Sequence, residues 1–312
     1  MTRAFRFGVM TSGKSSRDEW RQFVRRVDDL GYDVLNMPNH RAAPGWSPLV
    51  AMAAASEISE RLRFGTLVLD NESVDPGVIA KDTATLDLIS AGRLEVGIGA
   101  GWLAADHVSI GQPWRSAGER IERLAEAIEV LKACWSDASA SWQGVHYRLD
   151  GARNEPLPVQ RPHPPLLIGG GGERVLRLAA RLADIVSLVP NMSAGKLGPE
   201  SAADGRGDAT LRKLAWVREA AGDRYASIEL HTNLTQVIAT DDRAAGLAKV
   251  KRGYSLERDE DALAVPHAVV GSVSEMADQL LERRAAYGIS YYTVFEAGME
   301  SFAPVLAELA GR

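Results

Sequence analysis

Two glycine clusters, each at the end of an apolar run, mark where this sequence leaves its backbone open to a ligand. The run LEVGIGAGW at 94–102 reads as a buried parallel strand over 94–98, and Gly97, Gly99 and Gly101 remove every second side chain as it ends. A flat or anionic molecule can approach such a backbone closely, and parallel sheets and barrels bind ligands at that end of their strands. The second cluster, Gly169 to Gly172 in PPLLIGGGGERVLRLAAR, stands between an apolar strand and a helix. N–H groups at the helix start, together with the helix dipole, hold a phosphate without needing a basic side chain. Arg174, two residues into that helix, adds charge or faces solvent. The competing explanation for both clusters is a tight strand-to-helix turn that only packs.

Two further glycine motifs are set aside. GVMTSGKS at 8–15 satisfies the spacing of a P-loop, but Gly8 lies inside the apolar strand FRFGVM rather than at its end. The following helix starts only after Ser16, which can cap it, with Glu19 completing a capping box, so Lys14 is left in a loop. Gly99-Ala100-Gly101-Trp102-Leu103-Ala104 mimics a dinucleotide fingerprint, but its acidic partner about 20 residues on would be Glu119, on a helix rather than at a strand end. The six histidines show no H-x-H or H-x-x-x-H pairing and no cysteine partner, which points away from a metal site. No nucleophile elbow is present, and Cys134 falls on an amphipathic helix as a small apolar residue.

The elements that must position these residues alternate as a parallel α/β fold requires. Strand patterns stand at 5–10, 33–37, 63–69, 94–98, 165–169, 184–189, 228–238 and 290–295, and amphipathic helices lie between them. Eight strands suffice to close a (β/α)8 barrel, and 312 residues with 46% hydrophobic content suit one such domain spanning 1–312 with insertions. The insertions are 136–164, a hairpin with a Pro-rich connection, and 190–208, a Gly/Ser/Ala-rich flap; both are assigned to loops. Net charge is −5 with no basic cluster, which argues against nucleic acid. No apolar run reaches the roughly 18 residues of a membrane helix, and the N-terminus is too short and charged for a signal segment. A cytoplasmic protein is expected.

Several ordered motifs resemble the luciferase-like family of flavin- and deazaflavin-dependent oxidoreductases, whose members share a TIM-type barrel. They are NMPNH (36–40), GTLVL (65–69), LDLISAGRLEVGIGAGW (86–102), RSAGERIERLAEAIEVLKACW (115–135), IGGGGERVLRLAARLADIVSL (168–188) and GSVSEMADQLLERRAAYGISYYTVF (271–295). The resemblance implies a cofactor at the C-terminal ends of the strands: coenzyme F420, a deazaflavin that carries hydride, or alternatively FMN with oxygen chemistry and a separate reductase. It places His40 beside the ring, where an imidazole with an ordinary pKa of about 6.5 can give or take a proton. Many relatives carry an acidic residue just before this histidine; here Asn39 stands there, which leaves it hydrogen bonding alone. The resemblance also implies a non-proline cis peptide at Leu67–Val68 behind the ring, Asp70 at the ring edge, Gly101 and Trp102 alongside it, and the phosphate at Gly170, Gly171 and Gly172. Met10, Trp46, Asn191, His231 and Glu296 are expected to line the pocket of a small organic substrate. A homodimer is implied by the family, and a non-catalytic flavin-binding protein remains a third alternative.

Overall fold

In the computed structural model, which describes residues 3–192 and 198–312, the parallel strands follow one hydrogen-bonded order. Arg63–Thr66 lies beside Val34–Met37, then Arg6–Met10, Ile289–Phe295, Glu229–Leu234, Ile185–Leu188, Leu166–Gly170 and Leu94–Gly99; the last pairs with Leu69–Asp70 and again with Arg63–Thr66. The order returns to its first strand, so the sheet closes as a (β/α)8 barrel.

Three expected elements differ in detail. The pattern at 63–69 is two short strands, interrupted at the Leu67–Val68 peptide, which is cis as the resemblance implied. The pattern at 228–238 also divides. Glu229–Leu234 stays in the barrel, the N–H groups of Thr235 and Gln236 both donate to the His267 carbonyl, and Gln236–Ala239 pairs in parallel with Ala268–Gly271 as a separate sheet. In the first insertion the hairpin is present, with Ser139–Gln143 antiparallel to Arg148–Arg153. The second is not all loop: Pro199–Asp204 is a helix, and Gly207–Ala221 begins inside the expected flap. Pro199 occupies a first-turn position where its missing N–H costs nothing. Residues 193–197 of that flap lie outside the described residues.

The chain packs as two compact units. Among the described residues the first comprises 3–11, 26–36, 169–192 and 198–312. Its core joins Phe7, Tyr292 and Phe302, with Phe7 and Phe302 edge to face at 5.3 Å, while the Tyr32 hydroxyl donates to the Met299 carbonyl at 2.8 Å. Helix Val273–Tyr287 starts with a capping box between Ser272 and Glu275 and ends at Gly288, whose φ of 74° suits glycine.

The second unit comprises 12–25 and 37–168. Phe64, Leu94, Val96 and Ile98 are fully buried, and helix Ala117–Ser136 brings in Leu124, Ile128, Leu131 and Trp135 at helical spacing. The Trp135 indole N–H donates to the Ala80 carbonyl at 3.2 Å, so the ring's one polar atom is satisfied within that core. Ser16 caps the first helix through the Glu19 N–H, as expected, but Glu19 reaches back to Ser15 rather than Ser16. The P-loop lookalike is closed by packing: a Cβ on Gly13 would meet the Trp46 ring at 2.7 Å, and Lys14 lies over Phe23 at 3.9 Å.

Candidate active site

On the side where a Cβ would stand, Gly97, Gly99 and Gly101 are packed against other parts of the second unit: the neighbouring Thr66–Asp70 segment and His107 of the short helix Ala104–Ser109. A Cβ on Gly97 would collide with the Thr66 carbonyl, one on Gly99 would sit 2.9 Å from Val68 Cγ2, and one on Gly101 would sit 2.7 Å from His107 Nε2 and 2.8 Å from Asp70 Oδ1. Gly101 also has a φ of 71°, which a side chain would strain. At these positions the close approach on the Cβ side is made by the protein itself.

Beside this strand end sits a histidine–carboxylate pair. Strand Val34–Met37 is tied to the cis segment by the Leu67 N–H donating to the Met37 carbonyl at 2.8 Å, and three residues later His40 places Nδ1 at 2.7 Å from Asp106 Oδ2. Asp106 lies on the short helix Ala104–Ser109, just after Gly101 and Trp102. Its other oxygen accepts the N–H groups of Arg41 at 2.8 Å and Ala42 at 2.7 Å. Burial pushes the Asp106 carboxyl upward, but the Ala42 N–H, the His40 imidazole and the Arg41 N–H outweigh it and hold the group below the usual carboxylate range. Trp102 meets the His40 ring edge to face at 5.7 Å, so the indole walls one side of the imidazole. The His40 side chain is 30% exposed, and among the described residues nothing pairs with its Nε2.

This pair corrects one expectation. The residue before His40 is indeed no acid, since Asn39 Oδ1 accepts the Asp70 N–H at 3.4 Å, but His40 is not left without a carboxylate. Asp106 supplies one from 66 residues away in sequence. Its signal was faint, because a six-residue helix shows too little periodicity to place a side chain.

The next residue of the same helix reaches the opposite way. His107, fully buried, places Nε2 at 3.1 Å from Asp70 Oδ2 and meets Trp114 edge to face at 4.8 Å. Burial raises the Asp70 carboxyl above its ordinary value, partly offset by the Glu72 N–H and by His107. Asp70 is thus nearly buried, with His107 beside it. Beyond it, Glu72 is clamped between Arg115 at 2.8 Å and Arg123 at 2.9 Å beside a cavity of about 170 Å3 that Asn71 and Tyr147 also line; none of the expected pocket residues lines it.

The other expected residues lie as follows. In the second unit, the Trp46 ring lies tilted against Trp20 at 5.3 Å, over the Gly13 backbone. In the first unit, the glycine turn is divided: a Cβ on Gly170 would run into Val175 and one on Gly171 into the Pro190–Asn191 backbone, whereas Gly172 has only Asn191 Nδ2, at 3.8 Å. Gly172 begins helix Glu173–Leu182, which no side chain caps. Asn191 donates its N–H to Asp204 at 2.7 Å, and Glu296 accepts from the Thr11 hydroxyl at 2.6 Å, next to Met10 at a strand end. His231 lies in the core. Both ring nitrogens are used, with Ser187 at 2.8 Å and Thr293 at 2.9 Å, and burial lowers its pKa to about 3, so it is a neutral packing residue rather than a pocket wall. Among the described residues no cluster of three or more His, Cys, Asp or Glu is placed to hold a metal, and no helix is long and apolar enough to cross a membrane.

Comparison with known proteins adds to this geometry. An F420-dependent glucose-6-phosphate dehydrogenase of Microbacterium testaceum is 31% identical over 194 residues, covering 59% of this chain and 56% of the relative. An FMNH2-dependent dimethylsulfone monooxygenase of Pseudomonas putida is 36% identical over 109 residues, covering 35% of this chain and 30% of the relative. The matches span about half the length of the curated relatives or less. A solved F420-dependent secondary alcohol dehydrogenase in complex with an F420-acetone adduct superposes with a TM-score of 0.76 over 98% of both chains at 18% identity, a likeness of fold. The sequence model described as luciferase-like monooxygenase matches residues 2–290, nearly the whole chain, and on that match the protein belongs to the luciferase-like monooxygenase family.

Proposed function

We propose that this chain is an oxidoreductase that moves a hydride between coenzyme F420 and a small organic substrate, with His40 as the acid–base group. The observation that carries the proposal is the His40–Asp106 pair, in which Nδ1 is held by a buried carboxylate while the partly exposed Nε2 has no partner among the described residues. A proton-transfer group must be held in place yet keep one nitrogen available, and this imidazole meets both conditions.

The residues suit a flat flavin-type ring, with the apolar Leu67–Val68 cis peptide and the Trp102 indole in the same unit as the His40 imidazole. Within the second unit the ring is assigned to the segment of Asn39, His40, Leu67, Val68 and Trp102; within the first unit the turn at Gly172, an uncapped helix start where a Cβ would meet only Asn191 Nδ2 at 3.8 Å, is separately assigned to an anion. When bound, the deazaflavin supplies a ring carbon that gives or takes a hydride. Trp102 shields one side of the imidazole from water, and His40 Nε2 holds or releases the accompanying proton. F420 is preferred because the F420-dependent relative aligns over more of the chain than the FMNH2-dependent one. The second reading, an FMN-dependent monooxygenase served by a separate reductase, draws on the higher local identity of the latter.

The test is a His40→Ala variant, assayed by loss of deazaflavin absorbance with a substrate found by screening small alcohols and carbonyl compounds. Cofactor binding should persist, and turnover should fall by roughly 10²–10⁴-fold, the usual contribution of one positioned acid or base. Near-normal turnover would contradict the role given to His40.

A further inference from the structure

The two oxygens of Asp106 are committed to different partners, and that asymmetry has a chemical consequence. Oδ1 accepts two backbone N–H groups, from Arg41 and Ala42, and Oδ2 faces His40 Nδ1 at 2.7 Å. An ionised carboxylate only accepts hydrogen bonds, so in the neutral imidazole the shared proton sits on Nδ1 and the lone pair is left on Nε2. We propose that Asp106 is a positioning residue that fixes His40 as its Nδ1–H tautomer, so that the resting enzyme presents a base at Nε2. The inference rests on His40 being the acid–base group. In the step it describes, the Nε2 lone pair takes a proton from the substrate, the imidazole becomes a cation with both nitrogens protonated, and the Asp106 charge stabilises it. The same carboxylate holds the backbone of residues 41–42, so the loop carrying His40 and the tautomer of His40 are set by one side chain.

The Asp106→Asn variant separates these two duties. Its carbonyl oxygen can still accept from the Arg41 and Ala42 N–H groups, which keeps the loop in place. The amide NH2 then faces His40 Nδ1, a donor toward a nitrogen that must now accept, and the proton moves to Nε2. The experiment is long-range proton–nitrogen NMR on the cofactor-free protein with 15N-labelled histidine at about pH 8.5, above the ordinary histidine pKa of about 6.5. His40 is assigned by the signal missing in His40→Gln. The wild-type protein should show His40 protonated at Nδ1 and the variant should show it protonated at Nε2, with kcat reduced roughly 10²–10⁴-fold and KM nearly unchanged. A wild-type His40 protonated at Nε2, or the same tautomer in both proteins, overturns the proposal; should Asp106→Asn fail to fold, the wild-type spectrum alone decides. Loss of the function assigned to His40 would appear separately, as undiminished turnover in His40→Ala with the Nδ1–H tautomer intact.

Discussion

His40 and Asp106 make opposite demands that the local backbone reconciles: the imidazole stays partly exposed, while the carboxylate is buried and kept ionised by three donors. The sign of its contribution to stability follows from the direction of its shift. Because the folded pKa of Asp106 lies below the unfolded value of about 3.9, its stabilisation is complete above that pH and is lost as pH falls through the folded value. Acid titration should therefore loosen the 40–42 loop at low pH, and Asp106→Asn should remove that pH-dependent part, as read by tryptophan fluorescence from Trp102. Asp70 has the opposite sign, since its raised carboxyl favours the folded state more as pH falls. At Gly101 the structure predicts a different loss. An alanine there adopts a left-handed φ and presses on His107 and Asp70, and should destabilise the protein by about 1–3 kcal/mol or more in a denaturant melt. A Gly101→Ala protein as stable as wild type would contradict the account of the glycine strand end.

Elements with long periodic patterns were legible in the sequence, and two short helices, one of which carries Asp106, were not. Helix Ala117–Ser136 and strand Leu94–Gly99 announce themselves because their buried residues recur at 3.6-residue spacing or as an apolar run broken only by Glu95. Helix Pro199–Asp204 hides in a Gly/Ser/Ala-rich stretch because it buries only Ser201, and helix Ala104–Ser109, which brings Asp106 to His40, is too short to show a period. The glycine turn was legible as a turn but not in its division of labour. Gly171 packs on backbone, so a side chain there would disturb the fold, and Gly172 is the position that tests an anion site. Gly172→Val should fold normally and weaken cofactor binding, measured by fluorescence titration; unchanged affinity would remove the phosphate from that turn. In the insertion hairpin, Glu126 accepts the N–H groups of Val145, His146 and Tyr147 and the Trp142 indole N–H. Burial alone would raise its carboxyl, but these donors hold it below its ordinary value, so the turn it fixes should be secure above the unfolded glutamate pKa of about 4.3 and loosen as pH falls below it. Hydrogen exchange at 145–147 in wild type and Glu126→Gln, at neutral and acid pH, checks this: the variant should exchange faster at neutral pH and lose most of the acid response.

On the scale of the whole molecule, the barrel follows from eight strand patterns and is supported by the family match over residues 2–290, whereas assembly and cofactor choice depend on surfaces and sites that strand counting does not reach. Helices Pro48–Ser56 and Pro76–Ile89, both in the second unit, leave Val50, Val78, Leu88 and Ile89 about half exposed or more, a density of apolar side chains that suits burial against a second copy of the chain. Sedimentation at micromolar concentration should give a homodimer, and Val78→Glu with Leu88→Glu should give a monomer; a wild-type monomer would leave those helices without the expected partner. An anaerobic titration of the purified protein with coenzyme F420 and, separately, with reduced FMN distinguishes the two cofactors. F420 should bind saturably at micromolar or lower concentration and FMN more weakly, with no oxygen consumption when air is admitted to the FMN sample. Tight FMN binding with oxygen uptake, and no binding of F420, would contradict the proposed choice of F420.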